Sequence, residues 1–112
     1  MNELEQLRGK ILEFRDERNW QQFHNPKDLA LSLSLEASEL LELFQWKTSE
    51  EAVEKNLDKM KDELADVITY ALLFANETGI NVVSAVQEKL RKNDEKYPVE
   101  KAYGVNKKYT DL

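Results

Sequence analysis

Residues 29–43 read Leu29-Ala30-Leu31-Ser32-Leu33-Ser34-Leu35-Glu36-Ala37-Ser38-Glu39-Leu40-Leu41-Glu42-Leu43. At about 100° per residue, Leu29, Leu33, Glu36, Leu40 and Leu43 fall on nearly one helical face. The stretch is therefore an amphipathic helix whose apolar stripe is interrupted by a carboxylate. Glu39 follows three residues later, offset by ~60° around the axis. A carboxylate facing a core requires a compensating charge, because an unpartnered one is strongly disfavoured away from water.

The same acidic spacing returns at Glu63 and Asp66 in the next helical pattern. Glu-x-x-Glu alone is common on solvated helix faces, but Glu36 lies within the Leu stripe and the second pair flanks an apolar seam. Four carboxylates can thus converge, and divalent cations would balance them, with Mg2+ the expected ion. Mg2+ prefers oxygen ligands and keeps open positions, which suits phosphoryl or nucleotidyl chemistry. A di-iron carboxylate bundle is the competing metal reading. It needs Glu-x-x-His pairs, whereas the one histidine, His24, lies in a loop segment.

Working outward, a first helix is expected from about Glu3 to Arg18, with Leu4, Leu7, Ile11 and Phe14 on one side. The segment 19–25 carries Trp20, Phe23 and His24 and is too aromatic for a plain linker. Asn25 as N-cap, Pro26 at the first helical position and Asp28 in the first turn start a second helix, expected to run to about Trp46. Thr48 with Glu51 forms a capping box for a third helix of about 30 residues, which Gly79 stops. Its Val53, Leu57, Met60, Leu64, Val67, Ala71 and Phe74 form the seam expected of bundled helices. A fourth helix spans about 81–96, Pro98 ends it, and residues 99–112 read as a loop or partner-hugging arm.

The chain has 112 residues, 41% hydrophobic and 34% charged, with three Gly and two Pro. That composition suits one all-α domain, a bundle of four to five helices with a thin core that homo-oligomerisation would complete. A formal net charge of −6 argues against binding a nucleic-acid polymer. The absence of cysteine excludes disulfides, thiolate zinc sites and cysteine nucleophiles. With no visible targeting segment or long apolar run, no membrane role and a cytoplasmic location are expected.

Two aromatic plates and a cationic stripe accompany the acids. Trp46 lies seven residues after Glu39, and Tyr70 seven after Glu63, each expected on its acid's face. In the fourth helix Val82, Val86, Lys89, Asn93 and Lys96 step by four and three, so an apolar stripe turns into two ammonium groups and an amide able to hold phosphates. By themselves these lysines read as solvated side chains lying along the surface, and the tryptophans as core or interface residues.

The segments 14–20 (Phe-Arg-Asp-Glu-Arg-Asn-Trp), 22–26 (Gln-Phe-His-Asn-Pro), Glu36-Ala37-Ser38-Glu39, Leu43-Phe44-Gln45-Trp46, Glu63-Leu64-Ala65-Asp66, and Lys89 through Asn93 to Lys96-Tyr97-Pro98 occur in that order. Together they resemble the MazG-like nucleotide pyrophosphohydrolases, most of all the dCTP pyrophosphatase branch, from about Leu4 to Pro98. The resemblance implies an all-α enzyme that hydrolyses a nucleoside triphosphate between the α and β phosphates. A dNTP such as dCTP or a related pyrimidine would yield monophosphate and pyrophosphate, cleaning the nucleotide pool. It also implies that Glu36, Glu39, Glu63 and Asp66 bind Mg2+, one of them also a candidate base. Lys89 and Lys96 would neutralise phosphate charge, and Trp20, Trp46, Tyr70 and Asn93 would surround base and sugar, with His24 peripheral. Family members assemble as dimers or dimers of dimers. A different class, a non-catalytic helical module binding a nucleotide or partner through the acidic cleft, would be marked by a missing acid, and all four are present.

Overall fold

The computed structural model describes residues 2–112. Among them are five α-helices, α1 (Glu3–Glu17), α2 (Pro26–Glu42), α3 (Ser49–Thr78), α4 (Val82–Lys96) and α5 (Val99–Ala102), and no strand. Two short 3-10 helices, Trp20–Phe23 and Tyr109–Asp111, complete the order. Each long helix begins on a side-chain oxygen that satisfies a free N–H of its first turn. The Asn25 amide oxygen accepts from the Asp28 N–H at 2.9 Å, and the Thr48 hydroxyl from the Glu51 N–H at 3.2 Å. Asn2 and Asn81 do the same for α1 and α4 at 2.8 and 2.9 Å. Gly79 closes α3 at φ 71°, a left-handed conformation that favours a residue without Cβ.

α2 is shorter than expected. Beyond Glu42 the N–H groups of Leu43, Phe44 and Gln45 bond three residues back, to Leu40, Leu41 and Glu42. The helix thus tightens into a turn, and Trp46 follows at φ 64°. The Asn56 side chain donates to the Leu43 carbonyl at 3.2 Å and ties this turn to α3. That bond coincides with a break in α3, since Asn56 itself has non-helical angles. Trp46 therefore does not lie on the helical face of Glu39, and its side chain projects into solvent at 91% exposure.

The chain divides into two compact units at the junction of Gly79 and Ile80. In the first, α2 packs along α3 and α1 packs on α3. The expected α3 seam is covered in part, with Met60, Val67, Ala71 and Phe74 half-buried. Leu72, Leu73, Ala52 and Ala75 are buried together with Leu29 of α2, whereas Val53, Leu57 and Leu64 remain exposed. α1 docks through polar groups: Arg8 donates to the Asn76 side chain at 2.8 Å, and the buried Arg15 bridges Asp16 at 2.8 Å and Glu77 at 3.3 Å.

In the second unit the tail is not the loop expected after Pro98. Pro98 caps α5, Gly104 turns the chain at φ 75°, and the last 3-10 turn returns Tyr109 to the end of α4. There Tyr109 meets Tyr97 edge-on, ring centres 6.0 Å apart, and the Lys96 ammonium lies 4.9 Å from the Tyr109 ring centre.

Candidate metal and nucleotide site

α2 and α3 bring three of the four expected carboxylates together. One oxygen each of Glu36, Glu39 and Glu63 lies within 4.8 Å of the others. Glu36 and Glu63 are half-buried, Glu39 exposed. The buried Oε2 atoms of Glu36 and Glu63 receive no hydrogen bond from any described group. Asp66, one turn beyond Glu63, is exposed, and its charge acts on both Glu36 and Glu63.

The electrostatics follow from crowding like charges. Loss of hydration, a hydrogen bond to Glu39 and the charges of Glu39, Asp66 and Glu63 push the Glu36 carboxyl up to about 7. Glu63 is raised too, first by its hydrogen bond to Glu39, then by burial and neighbouring charge. Without a cation the cluster would hold protons near neutrality. Orphaned buried oxygens on converging acids are the donor set a hard divalent ion needs, so the residues fit one.

Beside the cluster lie two cavities that share Trp20, His24 and Tyr70. One, of about 180 Å³, is also lined by Asp66, Thr69 and Arg15. The other, of about 270 Å³, is also lined by Phe23, Asp28 and Ser32. Asp66 thus belongs both to the acid field and to an aromatic cavity. The 3-10 turn at 20–23 builds this wall, entered through Asn19 at φ 55°. Trp20 meets Phe14 edge-on at 5.9 Å. His24, expected to be peripheral, instead lines both cavities, with a buried Nδ1 that makes no hydrogen bond. Burial foremost, then the Arg15 charge, lowers its pKa against the opposing effect of Glu77, so the ring is neutral at pH 7.

Lys89, Asn93 and Lys96 lie on α4 of the second unit, Asn93 half-buried and both lysines exposed. Asp28 and Ser32 escaped the reading of the sequence as lining residues, although their spacing carries a signal. Residues 28, 32 and 36 step by four along one face of α2, so the cavity and the acid cluster share a line. Arg15 was likewise missed, and its seven-residue offset from Arg8 on α1 was the available clue.

This fold and site define an all-α protein whose paired helices gather acids able to hold a divalent cation, with an aromatic cavity that one further acid, Asp66, lines. The MazG-like family model matches residues 31–112. The dCTP pyrophosphatase 1 of Mus musculus is 40% identical over 97% of this chain and 67% of its own length, and that of Homo sapiens 38% over the same shares. A pyrophosphatase from Archaeoglobus fulgidus, known from its crystal structure, superposes with a TM-score of 0.83 and 41% identity, covering 88% of this chain and 94% of that one. The chain belongs to the MazG-like family. The match includes residues 99–112, so the likeness extends past Pro98, where the sequence motifs had stopped.

Proposed function

We propose that the chain is a Mg2+-dependent nucleotide pyrophosphohydrolase that cleaves dCTP, or a closely related pyrimidine deoxynucleotide, to the monophosphate and pyrophosphate. The carrying observation is the meeting of Glu36, Glu39 and Glu63 within 4.8 Å, two of them with unpartnered buried oxygens, beside a cavity that Asp66 shares with Trp20 and Tyr70. The dCTP pyrophosphatases at 38–40% identity support the substrate.

In this reading Glu36, Glu39, Glu63 and Asp66 hold the cation. When bound, Mg2+ supplies Lewis-acid polarisation of the phosphates and neutralises developing charge. Water attacks the α-phosphorus, the bond from that phosphorus to the bridging oxygen breaks, and pyrophosphate leaves. One carboxylate of the cluster accepts the proton of the attacking water. Trp20 and Tyr70 enclose the base, and Trp46 adds a solvent-exposed ring for stacking. Lys89 and Lys96 offset phosphate charge, and Asn93 hydrogen-bonds base or sugar. The chemistry is positioning plus fixed charge, as in other phosphoryl-group reactions.

Homo-oligomerisation, as a dimer or dimer of dimers, belongs to the same proposal. Leu35 and Leu41 of the α2 region are 63% and 71% exposed, next to a groove of about 400 Å³ lined by Leu41, Phe44 and Gln45. Apolar area of that kind favours a second copy. Among the described residues no helix is long and apolar enough to cross a membrane. A cytoplasmic place in nucleotide-pool cleaning goes with the substrate.

The test is to incubate purified protein with each dNTP and NTP and Mg2+ and to resolve the products by chromatography. Formation of dCMP and pyrophosphate is the expected result. Release of orthophosphate, or no turnover of any triphosphate, overturns the proposal.

A further inference from the structure

One carbonyl decides where α2 ends. Continued for another turn, the helix would bond the Lys47 N–H to the Leu43 carbonyl, four residues back. Lys47 bonds instead to the Phe44 carbonyl at 3.1 Å, and the Leu43 carbonyl accepts the Asn56 side-chain amide at 3.2 Å. Carbonyls in the last turn of a helix have no partner within it, and a side-chain N–H can supply one. Asn56 thus fills the place that a continued α2 would give to Lys47. Leu43 and Asn56 are both half-buried, where an unmet carbonyl is disfavoured.

The local sequence works against this ending. The apolar period runs on through Leu40 and Leu43, and no glycine stands between Leu29 and Gly79 to stop the helix. The residue that takes the left-handed conformation is Trp46, at φ 64°, where a Cβ is disfavoured. Its ring gains nothing from burial, at 91% exposure. Such a backbone persists only where its surroundings impose it, and an exposed aromatic held there points to a use for the ring. Asn56 is the imposing contact. Its own backbone leaves the helix at φ −122° and ψ 18°, in keeping with a side chain that bonds to backbone outside its own helix.

We infer that Asn56 is a positioning residue for Trp46. By holding the Leu43 carbonyl it turns the chain through Phe44 and Gln45. The ring is thereby kept off the face of Glu39, where a continued helix would carry it. The assignment rests on the proposed stacking of Trp46 on the nucleotide base and adds the residue that places the ring.

Two variants remove the donor. Asn56→Asp keeps the shape but, ionised, can only accept. Asn56→Ala favours an unbroken α3, so it folds even where the acid does not. In the full chain labelled with 5-fluorotryptophan, the two tryptophans give two fluorine resonances, of which Trp46→Gly removes one. The Trp46 resonance should move in both Asn56 variants while that of Trp20 stays in place. KM for dCTP should rise about fivefold, with kcat within about twofold of native. In a Trp46→Gly background the same substitutions should change KM by less than about twofold, since no ring is left to misplace. An unmoved Trp46 resonance, an unchanged KM in both variants, or a KM effect that persists in full without the ring overturns the inference. A moved Trp46 resonance in a chain that turns over no triphosphate would sustain the placement while defeating the hydrolase reading.

Discussion

Glu36 on α2 and Glu63 on α3 face a common point, each with a buried carboxylate oxygen that no donor among the described residues satisfies. Two half-buried acids converging in this way would repel one another, and Glu39 joins them within 4.8 Å. The arrangement disfavours the metal-free fold, and a cation held there would stabilise the native state, since whatever binds only that state does so.

Replacing Glu36 by Gln removes one of the converging charges while keeping the shape. Turnover should fall by more than about a hundredfold, beyond what loss of a group one layer outside a metal site costs. The metal-free melting temperature should stay the same or rise, because a like-charge contact is relieved. Product chromatography and a circular-dichroism melt check both halves, and retained activity would remove Glu36 from the ligand set.

The stability of the metal-free protein should depend on pH with a defined sign. The Glu36 carboxyl lies near 7 in the folded chain against 4.5 as its ordinary value. Between those values the native state keeps a proton that the unfolded chain has lost, so Glu36 reduces stability as pH rises from 4.5 to 7. Glu63, also raised, acts in the same direction. His24, lowered, acts oppositely, its stability complete above 6.5 and lost on acidification. Subtracting the Glu36→Gln curve isolates the Glu36 contribution. In chelator the difference between native chain and variant should move against the native chain across that window, and a flat difference would contradict it.

Trp46 combines a left-handed backbone with an exposed ring. A residue with Cβ is strained there, and Gly would relieve the strain while losing a similar amount through chain entropy. Trp46→Gly should therefore leave stability within about 0.5 kcal/mol. If the ring stacks on the base, KM for dCTP should rise about tenfold. Denaturant melts paired with steady-state kinetics separate the two effects.

Helix starts were legible because each rests on a local bond. Asn25 with Asp28 and Thr48 with Glu51 act within four residues. The end of α2 was not, because the apolar period continues through Leu43 while the backbone is turned by a bond from Asn56, thirteen residues away. That distant contact also voided the expected alignment of Trp46 with Glu39. Burial on α3 concentrates at Leu72, Leu73 and Ala75, next to Asn76 and Glu77, which bond Arg8 and Arg15 of α1, and those two arginines were not legible as docking groups. The acids were readable from their spacing. The cavity was not, since Asp28 resembles a first-turn acid and His24 a loop residue until the 3-10 turn brings them to one slot.

Leu35 and Leu41 should govern assembly. Leu35→Glu combined with Leu41→Glu places charges on the exposed apolar surface, and light scattering should show a smaller species than the native oligomer. A native chain that is monomeric at all concentrations would rule out the homo-oligomer.

The central claim is that carboxylates from α2 and α3 are held together by a divalent cation. It is tested most directly by anomalous scattering from crystals grown with Mn2+ and the α,β-imido analogue of dCTP. The expected result is a metal peak bounded by Glu36, Glu39 and Glu63 with the phosphates against it. Those side chains turned to solvent, with no metal peak between them, would contradict it.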